Sequence, residues 1–481
     1  MFALSLLALA QLTACDKPIE DDGPGDATGQ IDTEAPDDDD TGDDDTGAPL
    51  EPERCDSFGA AEAWDVPYPA VYDYFMYSGD GLGSYWSLTD MNGDGIQDFI
   101  VFASAGYVPG SSELFDTWRV WLGTGDGFGA EIAWALPRDF RAIDELYGAN
   151  AHHLVMDMNG DGNPDLVDAR DEEALSVFGG VEDPHWEVYL SDGATGFAAT
   201  PTQWSVPGEE VDAVHSSRSS GRIWTTMDLD GDGQVELIRT IKPTGGNWGY
   251  EDGAPYWQVF HRDGDGFSDT PAEWSIPESP TGYDGWYDSP VELDSHTILD
   301  MTGDGLPDFV VTTSADWPFP VWGEGPDWYW KVYVNTGDGF DREAVEWSIP
   351  SDYFTFTSSA GDWGYSTSRA WRTHAIGGGE VALVIATDPE TDGPFVDDDG
   401  VPQWAVFRRT DDGFEDLHTP WELPSEDYSQ FFSTGGAAEL GWVTMDMNGD
   451  GCDDLVQTSG GELGFPESGV QEWSWRVHLG E

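Results

Sequence analysis

Residues Leu88 to Phe102 read LTDMNGDGIQDFIVF: an apolar run enters a short acidic, glycine-rich loop and another apolar run leaves it. Counted from Asp90, oxygen-bearing side chains stand at loop positions 1, 3, 5 and 9, as Asp90, Asn92, Asp94 and Asp98. The arrangement recurs in VMDMNGDGNPDLV as Asp157, Asn159, Asp161 and Asp165, and in TMDLDGDGQVELI as Asp228, Asp230, Asp232 and Glu236. It appears again in ILDMTGDGLPDFV as Asp300, Thr302, Asp304 and Asp308, and in TMDMNGDGCDDLV as Asp446, Asn448, Asp450 and Asp454. Oxygens crowded this closely repel one another, and a hard divalent ion taking roughly six to eight of them turns the crowding into ligation. Five structural Ca2+ ions are the expectation, one per loop. An acidic Asn-Gly or Asp-Gly turn without metal is the plainer reading of any one copy, and repetition weighs against it.

An EF-hand opens similarly but needs a bidentate Glu at position 12 and flanking helices. Position 12 here is Val101, Asp168, Arg239, Val311 and Gln457. The flanks, such as FIVF and FVVT, are short and rich in β-branched and aromatic residues, so each loop is predicted to turn a β-hairpin. Gly93 and Gly95 stand at positions 4 and 6, where the chain must bend around an ion and a left-handed backbone is cheapest for glycine.

A second marker sets the period. Trp-x-x-Pro begins at Trp64, Trp134, Trp204, Trp274, Trp347 and Trp421, with spacings of 70, 70, 70, 73 and 74 residues. A third is a strand with a Gly/Asp-rich turn: WRVWLGTGDGF from Trp118, WEVYLSDGATGF from Trp186, WQVFHRDGDGF from Trp257, WKVYVNTGDGF from Trp330 and WAVFRRTDDGF from Trp404. Each unit thus supplies four short strands, and four-stranded units repeated radially are propeller blades. The fold expected for residues 55–481 is all-β, a six-bladed β-propeller of four-stranded antiparallel blades.

The ends of the chain predict how the ring closes. WRVHLGE from Trp475 stops at Glu481 with no fourth strand after it, whereas Ser57 to Pro67 aligns with Gly127 to Pro137 and has no blade before it. Pairing the N-terminal strand with the C-terminal blade leaves no open edge there. Cys55 and Cys452 fall in that same blade, where a disulfide would lock the closure; two free thiols are the alternative. At Thr373 to Ile385 the loop has decayed, with His374, Ile376, Gly378 and Ala382 at positions 1, 3, 5 and 9. That blade should fold without an ion, and His374 reads as a surface turn residue.

With 18 Lys and Arg against 95 Asp and Glu, the net charge is -77 on 481 residues, which on electrostatic grounds speaks against nucleic acid and anionic lipid surfaces as partners. Three Cys imply no disulfide scaffold. Residues 1–15, MFALSLLALAQLTAC, form an apolar run too short to span a membrane, ending in Leu-Thr-Ala-Cys. The ending resembles a bacterial lipobox, which implies export and lipidation at Cys15, although no Lys or Arg precedes the apolar run. Residues 16–54 are acidic, with the runs DDDD and DDD and almost no large apolar residue before Leu50, and read as a disordered tether.

The D-x-[DNT]-x-D-G-x-x-[DE] loops, with Phe-Gly in the later hairpin as in Gly125 to Ala130, resemble the FG-GAP or VCBS repeats of integrin α-subunit propellers and bacterial surface proteins. The resemblance covers residues 57–481. It implies a β-propeller with structural Ca2+ in the first hairpin of most blades and ligand binding on the opposite face. Integrin propellers have seven blades, and this chain departs from them in its six repeats.

Strand direction alternates within a blade, so the metal loops and GDGF turns are expected on one face and the long connections on the other. Those connections are aromatic, and Trp286, Trp317, Trp322, Trp328 and Trp363 are the candidate contacts for a glycan or protein ligand. Mutual packing of the loops is the competing reading. Four residues before the loops stand Trp86, His153, Trp224, His296, Ala370 and Trp442, for which packing between blades is expected. No catalytic residues can be nominated: the chain has no Gly-x-Ser-x-Gly, His-Glu-x-x-His or phosphate loop, and its acidic pairs are too many to single one out. The leading reading is a non-enzymatic, lipid-anchored protein of the bacterial cell envelope, on its outer surface, touching the membrane only through its anchor. The alternative is an extracellular polysaccharide lyase or glycoside hydrolase on a propeller scaffold.

Overall fold

The computed structural model describes residues 55–67, 86–101, 117–137, 153–169, 177–180, 182–208, 211, 224–240, 248–249, 255–277, 296–312, 322–324, 327–350, 371–377, 380–385, 387–388, 393–397, 400–423, 442–457 and 474–481. Every regular element among them is a β-strand. Blade one runs Trp86–Thr89, Asp98–Val101, Thr117–Gly123 and Phe128–Ala135, an antiparallel meander paired in sequence order. The next four blades repeat it, opening with His153–Met156, Trp224–Met227, His296–Leu299 and Trp371–Ala375. Second strands such as Asp98–Val101 and Asp308–Val311 are buried along their whole length, because each is covered on both faces by neighbouring blades. Blades three, four and five add short strands in the connection after the second strand, at Trp248–Gly249, Trp322–Glu324 and Gly393–Val396.

The sixth blade is built from both ends of the chain. Trp442–Met445, Asp454–Gln457 and Ser474–His478 are followed in the sheet by Glu62–Asp65, with Trp64 opposite Trp475. Around this strand Gly59 N donates to Leu479 O at 2.8 Å and Glu481 N to Ser57 O at 2.9 Å. Cys55 and Cys452 are joined by a disulfide with their Cα atoms 6.1 Å apart. The six-bladed ring closed by an N-terminal strand is therefore the observed architecture.

The Trp and Phe-Gly markers prove to be one packing device. In every blade the Trp of the third strand lies opposite the Trp of the fourth, as Trp118 with Trp134, Trp257 with Trp274 and Trp64 with Trp475. The Phe of the following blade's turn meets both rings. Phe197 packs on Trp118 and Trp134, Phe267 on Trp186 and Trp204, and Phe340 on Trp257 and Trp274. Phe414 packs on Trp330 and Trp347, Phe58 on Trp404 and Trp421, and Phe128 on Trp475 and Trp64. All twelve contacts are edge-to-face, with centroids 5.1 to 6.4 Å apart, the arrangement favoured by the ring quadrupoles. Backbone bonds seat the Phe. Phe197 N donates to Ala135 O at 3.0 Å, Phe267 N to Ser205 O at 2.8 Å and Phe414 N to Ser348 O at 2.9 Å. Phe58, from the N-terminal strand, supplies the member that makes the circle complete.

Candidate functional site: the acidic loops and their face

The five acidic loops adopt one hydrogen-bonding scheme. The position-1 carboxylate accepts from the amides of the glycines at positions 4 and 6: Gly93 and Gly95 donate to Asp90 at 2.8 Å each, and Gly449 and Gly451 to Asp446 at 2.7 and 2.9 Å. The same pairs hold Asp157, Asp228 and Asp300. The position-9 carboxylate is buried: Asp98, Asp165, Asp308 and Asp454 are 0% exposed and Glu236 is 1%. One of its oxygens accepts from the position-2 amide, as Met91 N to Asp98 at 2.7 Å and Leu229 N to Glu236 at 2.8 Å. In four blades the other oxygen accepts from the end of the third strand: Gly123 N, Ser191 N, Asn335 N and Gly480 N, at 2.7 to 2.8 Å. Loop and third strand are thereby fixed to each other.

Burial dominates the electrostatics. It raises the pKa of Asp98 and Asp165 to about 7, of Asp308 to about 6, and of Glu236 and Asp454 to about 8, against the pull of the backbone amides. Neighbouring loop aspartates push in the same direction, Asp90 and Asp94 on Asp98 for example. At position 1, burial raises Asp90, Asp157 and Asp228 in the same sense, and Asp446 to about 6. A buried carboxylate whose strongest charged neighbours are other carboxylates suits a bound cation, and the donors are all oxygens, as a hard ion requires. In the third loop, carboxylate oxygens of Asp228, Asp230 and Asp232 lie within 4.8 Å of one another. The residues present fit Ca2+.

The loops also touch one another. A Cβ on Gly93 would lie 2.5 Å from Gly162 O of the second loop, one on Gly231 would lie 2.6 Å from Leu306 of the fourth, and one on Gly449 would lie 3.0 Å from Gly95 O of the first. In blade five the loop is replaced by a tight turn in which Ile376 N donates to Glu380 O at 3.1 Å, and Gly377 N reaches Gly451 O of the sixth blade at 3.0 Å. On its other side Arg409 takes the place of a loop: its Nη1 donates to Met301 O at 3.1 Å, with the guanidinium against Gly303.

His374 corrects an expectation. It is not a surface turn residue: it lies within the strand Trp371–Ala375, is 7% exposed and stacks on Trp404. Its Nδ1 is 2.9 Å from Asp453 Oδ2 of the sixth blade. The register pairs His374 with Ala382 as Thr89 is paired with Asp98, so His374 is the counterpart of the strand residue before a loop and not of a first loop ligand. His153 and Trp224 sit on first strands as expected; His153 Nε2 is 3.5 Å from Asp168 Oδ1, and Trp224 joins a core cluster that spans blades two and three.

Of the aromatic candidates, Trp286, Trp317 and Trp363 lie outside the described residues, as does Cys15. Trp322 pairs with Tyr329 in a short hairpin. Trp328 is half-buried, lies opposite Ile349 and packs against the core cluster of blades four and five. Three residues that sequence reasoning passed over converge beside the third loop: Gln234, His261 and Arg262 line an open polar cleft of about 470 Å³. The visible signal was the His of WQVFH, where the other blades have Leu122, Leu190, Val334, Arg408 and Leu479.

No family model and no curated protein matches this sequence. Among solved structures, a Tc holotoxin pore of Photorhabdus luminescens is 13% identical with a TM-score of 0.45, over 89% of this chain and only 15% of the toxin chain. An Agrocybe aegerita lectin that recognises non-reducing terminal N-acetylglucosamine is 16% identical with a TM-score of 0.38, over 80% of this chain and 83% of the lectin. A family 43 α-L-arabinofuranosidase of Clostridium thermocellum is 11% identical with a TM-score of 0.25, over 76% and 96%. TM-scores this low lend no weight to any functional transfer.

Proposed function

We propose that the chain is an exported, Ca2+-stabilised lipoprotein of the FG-GAP/VCBS type. Anchored through Cys15, it would bind an extracellular glycan or protein through its long-connection face. One observation carries this reading: five loops on one face repeat the same oxygen-donor geometry around a buried carboxylate, and in four of them that carboxylate also ties the loop to its own third strand. Elements spent on holding the blades together leave recognition to the opposite face, whose connections differ in length and sequence. Cys452 stands in the acidic loop of the sixth blade, so the disulfide ties Cys55 to the loop face.

The test has two arms. The full chain, dialysed against trace Ca2+, should retain five ions by mass spectrometric metal analysis, and excess EGTA should lower its melting temperature by mass-action linkage. An unchanged melt would sink the structural role. On a glycan and surface-protein array, replacing Trp286 or Trp317 by Ala should abolish binding without altering the melt. Binding that survives both replacements but is lost in Asp90→Asn at saturating ligand would put the ligand on the loop face instead.

A further inference from the structure

The third acidic loop differs from its four siblings at two places that face each other. Position 9 is Glu236, one methylene longer than the Asp found elsewhere. Its Oε2 keeps the bond from Leu229 N, but its Oε1 is not held by the third-strand amide that fixes Asp98, Asp165, Asp308 and Asp454. That oxygen instead lies 3.7 Å from Nδ1 of His261, and the same nitrogen lies 3.3 Å from Oδ2 of Asp230. The three donor atoms all fall within 4.8 Å of one another.

These separations have a direct reading. Donors bound to one tetrahedral ion at roughly 2.0–2.1 Å stand about 3.3–3.4 Å from each other, which the His261–Asp230 separation matches and to which a small shift of the Glu236 carboxylate would bring the other. A charge-assisted hydrogen bond would have drawn nitrogen and oxygen to about 2.7–2.9 Å. Imidazole nitrogen is also the wrong donor for Ca2+ and the right one for zinc-class ions. Glu236 is 1% exposed whereas His261 is 38% exposed on its side chain, so the group has one rigid wall and one side open to the cleft. The wall is braced: Arg262 Nη1 donates to Asn159 O at 2.8 Å and to Gln234 Oε1, while its guanidinium lies 5.1 Å over the Trp204 ring.

We propose that Asp230, Glu236 and His261 bind, in place of the Ca2+ otherwise expected in the third loop, a divalent transition ion of the zinc class, chemically distinct from the ions of the four all-oxygen loops, with at least one coordination position open to the cleft. Two carboxylates and a neutral imidazole leave such an ion formally uncharged, and three protein donors with an open fourth position can accept water or a ligand group. The site does not depend on whether the other loops hold Ca2+.

Co2+ is the probe, added to the full chain in excess Ca2+. One Co2+ per chain should bind and give the visible bands of a low-coordinate nitrogen-oxygen site, and Zn2+ should bleach them. His261→Ala should weaken Co2+ binding at least tenfold, while in the absence of Co2+ it should leave Ca2+ stoichiometry and melting temperature unchanged. Glu236→Asp, which shortens the acid to the length used in the sibling loops, should also remove the bands. Co2+ uptake unaffected by His261→Ala, or no Co2+ bound by the folded chain, would overturn the proposal. Failure of the Ca2+ reading would show as an absence of Ca2+ in metal analysis and leave the Co2+ titration readable.

Discussion

Phe58 offers the sharpest test of how the ring is held. Its ring meets Trp404 at 5.2 Å and Trp421 at 5.1 Å, at interplanar angles of 80° and 90°. Truncating a buried Phe to Ala costs about 3–5 kcal/mol, and edge-to-face pairs contribute about 0.5–1.5 kcal/mol each beyond area. Phe340, 4% exposed in the same role between blades three and four, should show the full cost. Phe58 is only half-buried, so Phe58→Ala should cost about 2–3 kcal/mol, and Phe58→Leu, which keeps most of the volume, about 1–2 kcal/mol. Urea unfolding followed by tryptophan fluorescence measures both, since the probes are the rings that Phe58 touches. The series belongs in two backgrounds, native and Cys55→Ser/Cys452→Ser, because the disulfide would hold a locally detached strand in place. Should Phe58→Ala fall within about 0.5 kcal/mol of the parent in both backgrounds while Phe340→Ala costs its full amount, the N-terminal strand does not seal the ring, whatever its register.

Burial sets the pH dependence of the ion-free chain. The folded pKa values of Asp98, Asp165, Asp308, Glu236 and Asp454 lie above those of the unfolded chain, so their contribution to stability is full below about pH 4 and is lost progressively until pH reaches the folded values of about 6 to 8. In EGTA the melting temperature should fall from pH 5 to pH 8, while in Ca2+ it should hold; a gap between the two curves that does not widen with pH would contradict the ligand assignment. Gly93→Ala should destabilise by about 2–3 kcal/mol, since φ is +71° and a Cβ meets Gly162 O at 2.5 Å; Gly95→Ala, at φ +85° in open space, should cost only the backbone strain of about 1–2 kcal/mol. Equal losses in urea midpoints would mean that the loops do not brace each other. Reducing the Cys55–Cys452 bond should lower stability by about 2–4 kcal/mol, read as a shift in the urea midpoint with and without reductant.

Much of this architecture is legible because its signals are local and repeated. A loop that must place four oxygens around a point admits few sequences, and a hairpin turn built on glycines at positive φ admits fewer, so each copy announces itself. The closing strand was readable for the same reason, as a fourth-strand sequence stranded at the wrong end of the chain. The Phe and Trp markers are visible, but not their union, because each Phe serves the blade before its own and only the packed ring shows which blades touch. His374 shows the opposite limit. Judged by its decayed loop it looked exposed, and only the neighbouring Asp453 and Trp404 explain why it is buried. His261 was overlooked because its partners, Asp230 and Glu236, lie in a different hairpin and had already been assigned a role.

The disulfide also decides what happens when the chain is pulled. Tension applied from the N-terminal side reaches Cys55 first and passes through its sulfur into the acidic loop of the sixth blade, between Trp442–Met445 and Asp454–Gln457. The strand Glu62–Asp65 lies beyond that junction and carries none of the load. A seam that would otherwise unzip one hydrogen bond at a time is thus taken out of the line of force.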